Sequence, residues 1–258
     1  MKLEYNLNFI SDKSKKSSIR KALTILERSY IRDSEESSFF LDPFEQKVIA
    51  NIAEKNNIKI DFIGGNDLAE RKIFVSSSYY ELDQSNYISI LEFDHENLSH
   101  PDVLGALMSL NIDRENIGDI VINDNICQMA VLNKISNFIR FNLNKIKRES
   151  INIRIKEIQN LDIKPLTYID HRGFVASTRL DILVAEFINL SRSKAKEIIK
   201  NKNVKVDFEM IDNPSRIIDE NSMISIRKYG RFIFEEITGK SKKGNFHITY
   251  KEIRWYIY

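Results

Sequence analysis

The sequence predicts an α+β protein of three consecutive segments, on three observations. Six stretches carry apolar residues at helical spacing, with short alternating or continuously apolar runs between them. In the middle of the chain these signals follow the order β-α-β-β-α-β, the ferredoxin-like arrangement. Near the end, two adjacent helices precede a set of strands. A chain of 258 residues exceeds one compact core, and 42% hydrophobic residues suffice to fill more than one. The expected boundaries are 1–82 for an N-terminal α/β segment of helices and short strands, 83–165 for the ferredoxin-like middle domain, and 177–258 for a C-terminal domain of two helices plus a small β-sheet.

The first segment opens with SSIRKALTILERSYIR, where Ile19, Leu23, Leu26 and Tyr30 share a helical face and the preceding serines are caps. In LDPFEQKVIANIAEKNN, Asp42 precedes Pro43, which suits a first helical turn because its missing N–H would find no partner there. Val48, Ile49 and Ile52 give that helix its apolar stripe. IKIDFIGG alternates as a half-buried strand and stops at Gly64–Gly65, with RKIFVSSS as its partner. The double glycine is a turn and not a nucleotide loop, since no GKS or GKT follows it and GxGxxG is absent.

In the middle segment, YISILEFD is a strand and HPDVLGALMSL a helix entered at Ser99 or His100, with Pro101 in its first turn. GDIVIND and ICQMAVLN are strands joined near Asn123–Asn125. KISNFIRFNLNKI is a helix with Ile135, Phe138, Ile139 and Leu143 on one face, and INIRIKEI closes the segment as a strand.

A linker is expected around DIKPLTYIDHRG. RLDILVAEFINL then places Leu180, Leu183, Val184, Phe187 and Ile188 on one helical face, and Ser191 caps a second helix with Ala195, Ile198 and Ile199 turned inward. VKVDF is a strand with Val204, Val206 and Phe208 on one side. DENS turns into MISIRKYGRFIFEEI, and the basic turn TGKSKKGN leads back into FHITYKEI. The terminal IRWYIY is an extra strand or packing segment.

Charge divides the chain. Residues 151–258 hold 20 Lys+Arg against 14 Asp+Glu, a net of +6, whereas 1–150 hold 19 against 23, a net of −4. A basic back end behind an acidic front points to a polyanionic partner. Between Ser191 and Lys205 six bases (Arg192, Lys194, Lys196, Lys200, Lys202, Lys205) stand against one acid, Glu197. Arg192, Lys196 and Lys200 fall at i, i+4 and i+8, on a face apart from the apolar one. A solvated face ordinarily mixes signs, yet Glu197 lies off this stripe. The unbonded N–H groups at the Ser191 end add positive potential, which makes a phosphate site. Lys205, Arg231 and the Lys242–Lys243 turn extend the patch if the fold brings them near.

Other chemistry finds little support. No run of about 18 apolar residues predicts a membrane helix, and the N-terminal stretch lacks the apolar region and cleavage site of a signal peptide. One cysteine, Cys127, cannot form an internal disulfide, so a cytoplasmic location is expected. Cys127 lies in an apolar strand and is core, not nucleophile. His95 and His100 lack a third ligand at a zinc spacing, and His171 and His247 join no recognised motif. RGFVAS, Arg172 to Ser177, mimics part of the aromatic signature of RNA-recognition domains but falls outside the middle segment, and is taken as coincidence. No enzyme signal, metal site or cofactor is expected, and a monomer is the default.

STRLDILVAEFINLSRSKAKEIIKNKNVKV followed by NPSRIIDENSMISIRKYGRF resembles the S-four-type RNA-binding domain of ribosomal proteins, whose helices and following strand dock on structured RNA. The resemblance implies Arg179, Ser191, Arg192, Lys194, Lys196 and Lys205 as RNA-facing residues, with Lys200, Arg231, Lys242 and Lys243 added from the charge pattern. The family commonly has Asn-Gly after Val206, where this chain has Asp207-Phe208, so a different turn is expected. FLDP, FIGG, AERK, HPDVLGALMSLNIDRENIGDI, GRF and KKG, in this order, are similar to the YlmH family of bacterial RNA-binding proteins. That resemblance implies RNA binding without catalysis, with rRNA and tRNA on the large ribosomal subunit as partners in quality control of stalled ribosomes. The family usually has Arg where Pro101 stands, which removes one RNA contact from the middle domain. Two alternatives stay open. One is an RNA-modifying enzyme or its accessory, since S-four-type domains accompany pseudouridine synthases with an RLD-containing catalytic motif; here Asp181 is read as a first-turn helix acid. The other is a cell-division-linked scaffold with a protein partner on the acidic front.

Overall fold

The structure, a computed structural model, describes residues 3–10, 12–76, 82–158 and 160–254. The chain divides into two compact units, Met1–Lys164 and Pro165–Tyr258.

The first unit begins with helix α1 (Lys13–Arg32), capped by Asp12, whose carboxylate accepts the N–H groups of Ser14 (2.8 Å) and Lys15 (3.3 Å). It starts a turn ahead of the serines expected to cap it, because one carboxylate satisfies two orphan donors and complements the helix dipole. Ile19, Leu23 and Leu26 are buried, while Tyr30 is left largely exposed. After strand β1 (Glu36–Ser37), α2 (Pro43–Lys55) opens with a capping box. Asp42 accepts the Glu45 N–H at 3.1 Å, and the Glu45 carboxylate accepts the Asp42 N–H at 2.8 Å. Strands β2 (Asp61–Ile63) and β3 (Ile73–Ser76) are antiparallel, and the small sheet has the order β1-β3-β2. β2 is shorter than IKIDFIGG suggested, and Gly65 takes a φ of +84° to turn the chain. Of the expected partner strand, Ser77 and Ser78 lie outside the described residues.

The same unit continues with β4 (Ile88–Asp94), α3 (His100–Ser109), β5 (Ile117–Asn123), β6 (Ile126–Leu132), α4 (Asn133–Asn142), the hairpin β7 (Lys145–Ile146) and β8 (Glu149–Ser150), and β9 (Arg154–Ile155). The larger sheet has the order β5-β6-β4-β9 with every neighbour antiparallel, and β9 is only two residues of the expected INIRIKEI. Both faces of this sheet are buried. Leu91, Phe93, Cys127, Met129 and Val131 pack with Val103 and Leu107 of α3 and Ile139 of α4. On the opposite face Ile88, Ile90, Ala130 and Leu132 join Leu23 and Leu26 of α1, Ile49 of α2, Phe40 and Phe74. The N-terminal segment thus covers the sheet face opposite α3 and α4. Phe40 fits because Gly118 and Ala130 are small: a Cβ at Gly118 would lie 2.5 Å from Phe40 Cε1. Phe138, expected inward, is 48% exposed, because Ser136 and Ile139 take the buried side of α4.

Arg71 ties the N-terminal segment to this sheet. Its guanidinium donates to the carbonyls of Phe40 (2.7 Å) and Ile117 (3.1 Å), while the Glu70 and Arg71 N–H groups donate to the Asp119 carboxylate at 2.6 and 3.2 Å. FLDP, AERK and GDI therefore meet at one place, as structural pins.

The second unit contains β10 (Thr167–Val175), α5 (Leu180–Phe187), α6 (Arg192–Lys200), β11 (Val204–Val206), β12 (Glu209–Met210), β13 (Ser222–Ile226), β14 (Gly230–Lys240) and β15 (Phe246–Arg254). They form a six-stranded sheet of order β10-β15-β14-β13-β11-β12. β10 occupies much of the stretch expected to be a linker, pairing along its whole length with β15. Its polar residues and exposed aromatics hide the alternation that would have marked it as a strand. Leu180, Leu183, Val184, Ala195 and Ile199 of the two helices pack on one face of the sheet with Val204, Val206, Ile224, Phe232 and Phe234.

Phe208 does not continue β11. Asp207 (φ 47°) and Phe208 (φ 68°) form the two-residue turn between β11 and β12. Positive φ at both positions is what the type I′ turn favoured by Asn-Gly requires, so the turn keeps the expected family's hand with different residues. The Asp207 N–H donates to the Met223 carbonyl and its carboxylate accepts the Met223 N–H, both at 2.8 Å, while the Arg231 guanidinium lies 5.7 Å from the Phe208 ring centroid. Residues 255–258 of the terminal segment lie outside the described residues. Among those described, no helix is long and apolar enough to cross a membrane.

Because Gly118 is needed for space, Gly118→Ala is expected to destabilise the first unit by about 1–3 kcal/mol through overpacking against Phe40. Urea denaturation checks this: the midpoint should fall with an unchanged m-value.

Candidate RNA interface

One carboxylate organises the start of the two helices. Asp181, in the first turn of α5, has no exposed surface. Its backbone is held because the N–H groups of Leu180 and Asp181 donate to the carbonyls of Arg216 (2.8 Å) and Pro214 (3.0 Å). Arg179 donates from Nε to Oδ1 at 3.1 Å and from Nη2 to Oδ2 at 3.3 Å, and also reaches Ser215 Oγ at 2.8 Å. Arg192 donates from Nε to Oδ2 at 2.8 Å, and Lys196 Nζ lies 3.8 Å from the same oxygen. Burial alone would push the Asp181 carboxyl up, but hydrogen bonds from Arg179 and Arg192, with their charges, outweigh it and hold the group below its ordinary value.

The basic stripe is therefore not unopposed. Its acid comes from α5, eleven residues ahead of Arg192, so no i, i+4 inspection of α6 could find it. One carboxylate against three cations still leaves a positive surplus, and the Arg192 and Lys196 side chains remain 49% and 45% exposed. Ser191 caps α6, its Oγ accepting the Lys194 N–H at 3.3 Å. Lys194 and Lys200 are exposed on the same short helix.

The remaining expected residues lie elsewhere in the unit. Lys205, Ser225 and Arg231 are cross-strand partners in one row of the sheet. That row is on the face opposite the helices, since Val204, Val206 and Phe232 point into the core. Lys242 and Lys243 are exposed in the β14–β15 turn, roughly 30 Å along the strand from Arg231 at about 3.3 Å per residue. The patch expected from the sequence is thus three: a helical cluster, a row on the sheet, and a hairpin tip. The residue that sequence reasoning missed is Asp181 as the anchor; its only signal was its place in the RLD motif beside the first helix.

In the first unit Cys127 is buried, with its thiol pushed up to about 12 by burial. His95 is also buried and its Nδ1 accepts the Leu98 N–H at 3.3 Å. Among the described residues, no group of three His, Cys, Asp or Glu could hold a metal ion.

Comparison with known families fits this geometry. The family described as "Putative RNA-binding domain in YlmH" matches residues 89–160, and the S4 domain matches residues 178–224, which contain the whole Asp181 cluster. The chain is thus similar to YlmH proteins over its middle segment and to S4 domains at the start of its second unit. It is 29% identical over 218 residues to the ribosome-associated protein quality control protein P2 of Bacillus subtilis (strain 168), across 82% of this chain and 85% of that relative. Its fold is similar to the solved structure of cell division protein ylmH from Streptococcus pneumoniae, with a TM-score of 0.52 at 15% identity, over 59% of this chain and 96% of that one.

Asp181→Asn is expected to lower stability by about 2 kcal/mol at neutral pH, the scale of a hydrogen bond to a charged group. The folded carboxyl titrates below its unfolded value. Its contribution is therefore complete above about pH 5 and fades as the pH falls below about 4. Denaturation of wild type and variant at several pH values checks this, and a gap that stays constant down to low pH would contradict the pairing.

Proposed function

We propose that this chain is a non-catalytic protein that docks on structured RNA, most directly rRNA or tRNA on the large ribosomal subunit, and acts in quality control of stalled ribosomes. The observation that carries the reading is the helical cluster, in which Asp181 holds Arg179, Arg192 and Lys196 beside the capped N-terminus of α6. Oriented cations next to unbonded helix N–H groups suit phosphates, and contact with the backbone of folded RNA demands little base specificity. The ribosome-associated role in the printed name of the Bacillus subtilis relative supports the choice of RNA. On this reading Lys194, Ser191 and Lys200 add contacts along α6, and the protein works as a cytoplasmic monomer.

We further read the β4-α3-β5-β6-α4-β9 order, with its β5-β6-β4-β9 sheet, as ferredoxin-like. Residues 1–82 then serve as the cover of that domain's second sheet face, which directs any RNA contact of the middle domain to its helices, edges or loops.

Co-sedimentation with purified ribosomal subunits tests the proposal. Wild type should pellet with the large subunit at low salt, and Arg192→Glu/Lys196→Glu should not, with its fold checked by circular dichroism. A folded double variant that pellets like wild type would make the stripe a solvated face and remove the proposal's support.

A further inference from the structure

The C-terminal sheet has a face that no helix of its unit covers among the described residues, and aromatic rings stand on it. Along β10, Tyr168, Asp170, Arg172 and Phe174 are exposed, whereas Gly173 and Val175 are buried. Phe174 is 64% exposed and Tyr168 47%, unusual for strand aromatics with a core available. The RGFVAS stretch is the source of this pattern. Gly173 lies on the core side, where a Cβ would come within 2.5 Å of Glu186 Oε1 of α5, so Arg172 and Phe174 are displayed outward on either side of it.

Neighbouring strands extend the platform. Phe174 pairs with His247 of β15, and their rings meet edge to face at 4.6 Å. Tyr168 begins a row that crosses Ile253, which is buried, then Arg231 and Ser225 to reach Lys205. Lys251 lies 5.9 Å from the Tyr168 ring centroid and pairs with Glu235. Four cations, Arg172, Lys205, Arg231 and Lys251, thus share the region with three acids, Asp170, Glu235 and Glu236. The surplus is positive, and the exposed rings sit among the cations.

Exposed rings beside cations on an open sheet match one occupant best. Paired bases hide their faces inside a duplex, so stacking rings gain nothing from A-form RNA, whereas unpaired bases offer a π-face each. We propose that this face is a second RNA-contact surface taking unpaired nucleotides, with Phe174 and Tyr168 stacking bases and Arg172, Arg231 and Lys205 meeting the backbone. β10, β14 and β15, which build most of it, lie outside the matched segments 89–160 and 178–224. The inference rests on the RNA-binding reading but assigns a different surface and a different RNA state from the helical cluster.

Fluorescence anisotropy of the full chain with two labelled probes separates the two surfaces. One probe is an unstructured oligouridine of about 12 nucleotides, within the site size of such platforms; the other is an RNA hairpin. Tyr168→Ala/Phe174→Ala should weaken oligouridine binding at least about tenfold, the effect of losing stacked bases, and leave hairpin binding unchanged. Phe174→Trp should retain oligouridine binding, and Arg192→Glu/Lys196→Glu should lose the hairpin alone. Oligouridine binding that survives the double alanine change would overturn the inference and leave the face to a protein partner. Wild type that binds the hairpin but not oligouridine would overturn it while sparing the proposed function; binding neither would remove both.

Discussion

The Asp181 carboxylate is the constraint on which the C-terminal surface depends. A fully buried carboxylate is costly unless it is paired and hydrogen-bonded, and here Arg179 and Arg192 supply both. Exposed ion pairs contribute about 0–1 kcal/mol because solvent screens them and side-chain entropy opposes them. Here the acid is shielded, while the cations keep about half their surface in water. The result is a set of long basic side chains already restricted before any RNA arrives. Long side chains lose up to about 2 kcal/mol of rotamer freedom on ordering, so a surface ordered by folding binds with less entropic loss.

The first unit follows a different logic. Its larger sheet is buried on both faces, which makes the N-terminal segment a structural necessity and not an appendage. The short motifs FLDP, AERK and GDI have their explanation there. Asp42 and Glu45 close a helix cap, Arg71 bonds the carbonyls of Phe40, Ile117 and Arg114, and Asp119 receives two N–H groups. Residues that look functional because they are polar and distinctive are instead the pins between two layers. Burial lowers the Arg71 pKa and raises that of Asp119, as expected for charges drawn into a packed seam.

Much of this was legible in the sequence, for physical reasons that can be named. α2, α3 and α6 carry explicit caps or proline at the first turn, and their apolar stripes, like that of α5, are buried as the helical period requires. β4 and β6 were visible as apolar runs, and a run such as ICQMAVL, apolar on both faces, is itself a sign of a doubly covered sheet. β10 was hidden because its outward residues include Tyr168 and Phe174, so polarity and exposure do not coincide. Phe138 was placed inward because periodicity cannot choose between two nearly equivalent faces of a short helix. The Arg192–Lys196 stripe was legible as a charge pattern, but its anchoring acid was not, since the contact is between helices. Likewise Lys205 and Arg231 could be grouped only by a sheet register, which no local pattern contains.

The most direct test of this account is the RNA affinity of Asp181→Asn, measured with a structured RNA hairpin at fixed salt under conditions where the variant is folded. The substitution removes a negative charge from the centre of the cluster, so electrostatics alone would make binding tighter. If Asp181 instead orients Arg179, Arg192 and Lys196, binding should weaken despite the added net positive charge. Tighter or unchanged binding would contradict the clamp and leave the cluster as charge without order.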